Sequence, residues 1–150
     1  MVKSQFSIKD LEHLSGVKAH TIRIWEKRYK LLEPARSQTN IRSYDLDNLK
    51  KLLNVTFLYS QGYKISKIAA LNPTQITDII ATEHHKDNAK TLQYRLKKGM
   101  LGFQQAEIND VFKTLKQQNA IAHGLESVIF PFLHEVGILW QLVQLYSHSK

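Results

Sequence analysis

Between His20 and Tyr44 the chain reads HTIRIWEKRYKLLEPARSQTNIRSY. The residues here that can do chemistry are cations and hydrogen-bond donors, not nucleophiles or paired acids. Arg23, Lys27, Arg28, Arg36 and Arg42 carry fixed positive charge at a density that matches phosphate oxygens. His20 and Thr21 add short polar side chains suited to base edges, and Lys27 has the length to reach either target. Ile22, Ile24, Trp25 and Leu31 lie in the same stretch, where a solvated basic tail has no use for them. One side of this segment is expected to feed a core while the other meets a polyanion.

Other chemistries are poorly represented. The 150 residues include no cysteine, which excludes disulfides, thiolate metal sites and a Cys nucleophile. That composition fits a reducing cytoplasm, the expected location. No nucleophile elbow, phosphate-binding glycine loop or H-E-x-x-H zinc motif occurs. His84 and His85 are adjacent and on a helix would point about 100° apart, a poor chelate. His123 and His134 are about three turns apart, too far to share an ion. Glu126 and Glu135 have no nearby acid to form a glycosidase pair. No enzymatic activity, metal or resident cofactor is expected. No run approaches about 18 apolar residues, so no membrane span is expected either.

The formal net charge is +8, from 21 Lys+Arg against 13 Asp+Glu. Nearly all of that excess lies before residue 72. A basic first half and a near-neutral second half predict two modules with different partners.

The elements that must position the cations follow from local signals. Ser7 and Asp10 have the spacing of a capping box, Phe6 can staple onto Leu11, and Ile8, Leu11 and Leu14 form an inward stripe. Gly16 ends that helix. After the short link Ser15-Gly16-Val17, a second helix is predicted from about Lys18 to Tyr29, with Ile22, Trp25 and Tyr29 inward. Pro34 biases Glu33 to extended geometry. Ala35–Arg36 and Ile41–Tyr44 flank the polar turn 37–40 and predict a small hairpin. Asp45 can cap a third helix that Gly62 stops. A short helix over Lys64–Leu71 follows, and Asn72-Pro73 opens another. Residues 82–90 are polar and read as a linker. Helical stretches are then predicted over 88–102, 105–118 and 120–140, with Ile108, Val111, Phe112 and Leu115 forming one bundle face.

Helix, short turn, helix is the helix-turn-helix arrangement, whose second helix fits the DNA major groove. Arg36 and Arg42 flank the hairpin turn and can grip phosphates beside the groove. Trp25 is either a core aromatic or a phosphate contact through its indole N–H. Tyr44 is open in the same way between packing and phosphate contact.

The stretch HTIRIWEKRYKLLEPARSQTNIRSYDLDNLKKLL resembles the MerR-family winged helix-turn-helix. Thr21, Ile22, Arg23, Trp25, Glu26, Leu31 or Leu32, Pro34, Arg36, Arg42 and Tyr44 stand in the family's pattern. Gly62-Tyr63-Lys64-Ile65-Ser66-Lys67-Ile68 is similar to the motif that follows the family's third helix. Where the family often has Gly before the wing, this chain has Asn40, which tolerates left-handed backbone nearly as well. Trp25-Glu26-Lys27-Arg28-Tyr29 resembles the subgroup of light- and cobalamin-responsive regulators of carotenoid synthesis. The resemblance implies double-stranded DNA as partner, an inverted-repeat operator and a homodimer, at least on DNA.

In the second half, Pro131, Leu133, Val136, Gly137 and Trp140 resemble the last helix of a cobalamin-binding cap domain. That resemblance implies a place for Trp140 near the upper face of a corrinoid in a full-length relative. The Glu-His pair and the cobalt-ligating D-x-H-x-x-G that follow in that family are not found here. The chain is therefore expected to be a shortened or frame-shifted form of a longer regulator, with no cobalamin of its own.

The combined expectation is an all-α protein with a small β-wing, a winged helix-turn-helix followed by a helical bundle. Residues 1–75 are expected to form the DNA-binding domain, 76–87 a linker and 88–150 the bundle. The DNA-contacting set is His20, Thr21, Arg23, Trp25, Lys27, Arg28, Arg36, Asn40, Arg42 and Tyr44. The rival readings are a protein-interaction helical module and a fragment of a cobalamin-binding sensor or methyl-transfer protein.

Overall fold

The structure is a computed structural model that describes residues 5–83, 88–102, 104–118, 121–134 and 137. Its elements run β1 (Gln5–Phe6), α1 (Ile8–Ser15), α2 (Ala19–Tyr29), β2 (Ala35–Arg36), β3 (Arg42–Asp45), α3 (Leu46–Ser60), α4 (Ile65–Ala69), α5 (Pro73–Glu83), α6 (Ala89–Leu101), α7 (Gln105–Gln117) and α8 (Ile121–Gly124). The chain leaves α8 through a π-helical turn, Leu125–Ile129. The described residues fall into two compact units, one through Ile76 and one over Thr77–Gly137. No helix among them is long and apolar enough to cross a membrane.

Local capping sets the helix starts. Ser7 Oγ accepts from the Asp10 N–H at 3.1 Å, and the Ser7 N–H donates back to the Asp10 carboxylate at 2.8 Å. These reciprocal bonds are the capping box expected from the sequence. Gly16 closes α1 at φ +74°, where a Cβ would be strained. Asp45 caps α3 by accepting from the Asn48 N–H at 2.8 Å. α5 starts at Pro73 as expected and runs through Glu83, so residues 76–83 of the segment read as a linker are helical. His84 and His85 lie outside the described residues.

In the first unit, helices α1 to α4 pack with a three-stranded antiparallel sheet. The sheet order is β1-β3-β2, with Phe6 opposite Tyr44 and Arg36 opposite Arg42. Strand β1 has no counterpart among the sequence expectations: two residues are too short to show alternation. Leu11 of α1, Ile22 of α2, Tyr44 of β3 and Leu49, Leu52 and Leu58 of α3 are fully buried. This core holds α2 by one face and leaves its other side to solvent.

The second unit has its own core of Leu92, Leu96, Val111, Leu115, Val128 and Ile129, with Ala89, Ile108 and Phe132 packed against it. Of the face expected on α7, Ile108, Val111 and Leu115 point inward, but Phe112 is 50% exposed. Phe112 immediately follows Val111, and at about 100° per residue it is carried past the narrow contact stripe. Arg95 is buried and donates to Glu107 at 2.6 Å and Asp110 at 2.5 Å, which bolts α6 to α7. Burial by itself would lower the Arg95 pKa, but the bonds and charges of the two carboxylates outweigh it and raise the value.

One side-chain bond ties α6 to the π-helical turn: the Gln93 side-chain amide donates to the Ser127 carbonyl.

Candidate nucleic-acid interface

Glu12 ties α1 to the start of α2. Lys18, the residue before α2, makes no side-chain cap. Glu12 reaches across from α1 instead, and its Oε2 accepts from the Ala19 N–H at 2.7 Å. An anionic acceptor at a helix N-terminus stabilises it by bonding an orphan donor and by opposing the dipole. The same carboxylate lies 3.9 Å from Lys18 Nζ.

On α2, Ile22 and Trp25 are buried, while His20, Arg23, Ile24, Lys27 and Arg28 are exposed and Thr21 is half-buried. At about 100° per residue the exposed set occupies one continuous arc opposite the core. Lys30 ends the helix in left-handed geometry, φ 50°, with its N–H on Glu26 O. The chain then turns under the arc. Leu31 and Leu32 are buried, and Asn48 of α3 clamps the extended segment: its Oδ1 accepts from the Glu33 N–H at 3.1 Å and its Nδ2 donates to Glu33 O at 3.3 Å.

The wing follows from that clamp. Its turn closes with the Asn40 N–H on Ser37 O at 2.9 Å and the Ser37 N–H on Ile41 O at 3.0 Å. Asn40 takes φ +62°, the left-handed geometry anticipated for it. Arg36 and Arg42 face each other across β2 and β3, a like-charge pairing that is unfavourable by itself. Each has a separate acceptor. Arg36 Nη1 donates to Asn40 Oδ1 at 2.8 Å, and Arg42 Nε donates to Glu26 Oε2 at 3.2 Å. The Tyr44 hydroxyl donates to the other Glu26 oxygen. Burial drives the Tyr44 phenol well above its ordinary pKa, and the hydrogen bond to Glu26 and its charge raise it further. Tyr44 therefore stays a donor.

Helix and wing enclose an open cleft of about 560 Å³. His20, Arg23, Ile24 and Lys27 line it from α2, Arg36 and Arg42 from the wing, with Glu26, Leu32 and Pro34 between them. Five of the ten expected contact residues are thus brought together: His20, Arg23, Lys27, Arg36 and Arg42. Thr21 and Arg28 are outside the cleft lining, and the Arg28 guanidinium sits 5.7 Å from the centre of the Tyr29 ring. Asn40 acts at the turn as the acceptor for Arg36.

Two expected contacts are corrected. Tyr44 has no exposed surface, because β3 pairs on both edges and turns this ring into the core. Trp25 is 5% exposed and stands edge-on to Tyr59, with ring centres 5.4 Å apart and planes at 68°. Both support the interface from behind. Four residues that line the cleft, Ile24, Glu26, Leu32 and Pro34, are absent from the expected contact set. Glu26 fits the motif, but its bonds to Arg42 and Tyr44 span 16 and 18 residues and leave no local trace. Ile24 reads in the sequence only as bulk, although its position one turn from His20 and from Arg28 already puts it on the outer arc.

Trp140 lies outside the described residues. His123 and His134 are exposed. No group of three or more His, Cys, Asp or Glu suited to a metal ion occurs among the described residues.

A helix-turn-helix with a cationic outer arc, followed by a hairpin bearing two more guanidiniums, defines a winged helix-turn-helix. Residues 6–74 match the MerR HTH family regulatory protein model, so this segment is a MerR-type helix-turn-helix domain. Across a longer span it is similar to the HTH-type transcriptional repressor CarH of Myxococcus xanthus, at 24% identity over 148 residues. That alignment covers 94% of this chain and 50% of the relative, so the chain spans about half the length of the protein it matches.

Proposed function

We propose that the chain is a sequence-specific regulator of transcription that binds double-stranded DNA through its first unit. α2 enters the major groove with His20, Lys27 and Thr21 toward the base edges. Arg23, Arg36 and Arg42 grip phosphates from the helix and the wing, and Arg28 adds charge at the helix end. The observation that carries this reading is the shared cleft: cations from α2 and the wing line one open surface while their apolar neighbours fill the core behind it. A solvated surface has no reason to sort its charges this way.

On this reading, residues 1–75 are the DNA-binding domain, 76–87 a largely helical connection and 88–150 a sensor-type bundle. The protein acts as a dimer on an inverted repeat, because two-fold protein symmetry requires a two-fold site. Regulation, not catalysis, is its activity.

Selection of random duplexes with purified protein tests the proposal. The expected result is an enriched half-site present as an inverted repeat, bound with affinity that falls steeply as salt rises. Failure to enrich any sequence, with salt-insensitive retention, would overturn it.

A further inference from the structure

We infer that Ile24 is a base-reading residue that recognises the C5-methyl group of a thymine in each operator half-site; this rests on the reading of α2 as the major-groove helix. Ile24 is 43% exposed, although the core lies directly behind the same helix. Isoleucine is a β-branched residue with lower helix propensity than Lys, Gln or Glu, so a solvated position gains nothing from it. It sits one turn after His20 and one turn before Arg28, within about 60° of Lys27 around the axis. It lines the cleft with His20, Lys27 and Arg23. It is the apolar side chain in an otherwise polar arc of α2.

Burying an isoleucine against a base edge is favourable only where that edge is apolar. In the major groove the apolar group is the thymine methyl; a cytosine at that position has only hydrogen at C5. Ile24 would therefore favour thymine by removing two apolar surfaces from water, a gain that cytosine does not offer. His20 and Lys27 on either side supply polar contacts to the neighbouring base pairs.

The test uses the half-site recovered by selection, with each thymine replaced in turn by uracil, which lacks only the methyl group. Binding of the full chain is followed by fluorescence anisotropy. One thymine per half-site should lose about fourfold in affinity, the equivalent of one buried methyl at about 0.8 kcal/mol. Ile24→Ala should bind more weakly at that thymine and no longer distinguish it from uracil. Circular dichroism and thermal melting check that this exposed variant is folded. Ile24→Val, which keeps the branch, should retain most of the discrimination.

Tight binding by the parent chain with no uracil-sensitive position would overturn the inference and leave the DNA reading standing. Uracil sensitivity undiminished in Ile24→Ala would also overturn it. A change in self-association without a change in thymine discrimination would assign Ile24 to a contact between copies and overturn it again. Absence of binding to every selected duplex would remove the DNA reading and this inference together.

Discussion

Arg42 Nε donates to Glu26 Oε2 at 3.2 Å, so the strand that closes the wing is tied to the exposed helix. The Glu26 side chain is 9% exposed and that of Arg42 29%. A carboxylate this sheltered needs its partners, and it has two, because the buried Tyr44 hydroxyl donates to its other oxygen. The bond engages Nε, and a guanidinium offers further donors at Nη1 and Nη2 for a phosphate. Glu26 thus neutralises part of the wing charge and aims the remainder.

Replacing Glu26 with Ala should leave the Tyr44 hydroxyl buried without its acceptor and cost about 1–3 kcal/mol of stability. Urea titration measures this. Adding Tyr44→Phe in the same chain should recover part of the loss, since the stranded donor is then gone. Strict additivity of the two changes would show that Glu26 and Tyr44 are not coupled.

Arg36 is exposed at the wing and held by Asn40, so Arg36→Ala should leave folding nearly intact. Affinity should fall about equally for operator and unrelated duplex. The slope of log K against log salt should flatten by about 0.9, the share of a single neutralised phosphate. An unchanged slope would mean that Arg36 does not bind a phosphate.

Asn40 occupies φ +62°. Asn40→Val places a β-branched side chain in left-handed geometry and should cost about 1–3 kcal/mol. Asn40→Gly relieves the backbone but removes the acceptor for Arg36. It should therefore melt near the parent chain and still bind DNA more weakly. A valine variant as stable as the parent would mean that the turn rearranges.

Both Tyr44 and Tyr94 have raised pKa values, each chiefly through burial, with Glu26 and Glu107 adding to the effect. In the unfolded chain these phenols titrate near the ordinary value of about 10. A group whose folded pKa is raised contributes stability that is whole below the unfolded pKa and is lost as pH climbs toward the folded value. Stability should therefore hold below about pH 10 and decline above it, by up to about 1.4 kcal/mol per pH unit for each tyrosine. Denaturant midpoints between about pH 8 and 11.5 measure the decline, and Tyr44→Phe should shallow it.

Gln93→Leu should remove the bond from α6 to the Ser127 carbonyl and destabilise the second unit by about 1–3 kcal/mol. Urea titration measures the loss. A variant as stable as the parent would mean that water satisfies this carbonyl.

Features of this protein that depend on neighbours along the chain were legible from the amino acids alone. The Ser7–Asp10 box, the glycine stop at Gly16, the Asp45 cap, the Pro73 start and the left-handed Asn40 all arise from backbone preference and short-range hydrogen bonding, which act over a few residues. The cationic arc of α2 was legible for the same reason, since helical period sorts faces without knowledge of what packs behind them. Folding in three dimensions decided the rest. β1 exists because Phe6 meets Tyr44 across the sheet, and Glu26 has a role because β3 passes beside α2. Trp25 and Tyr44 are amphipathic, with an apolar body and a polar tip, so their composition suits either side of an interface. Only the closing of the sheet and of α3 over them removed both rings from solvent and left Ile24 outside, and the second unit's own core left Phe112 exposed.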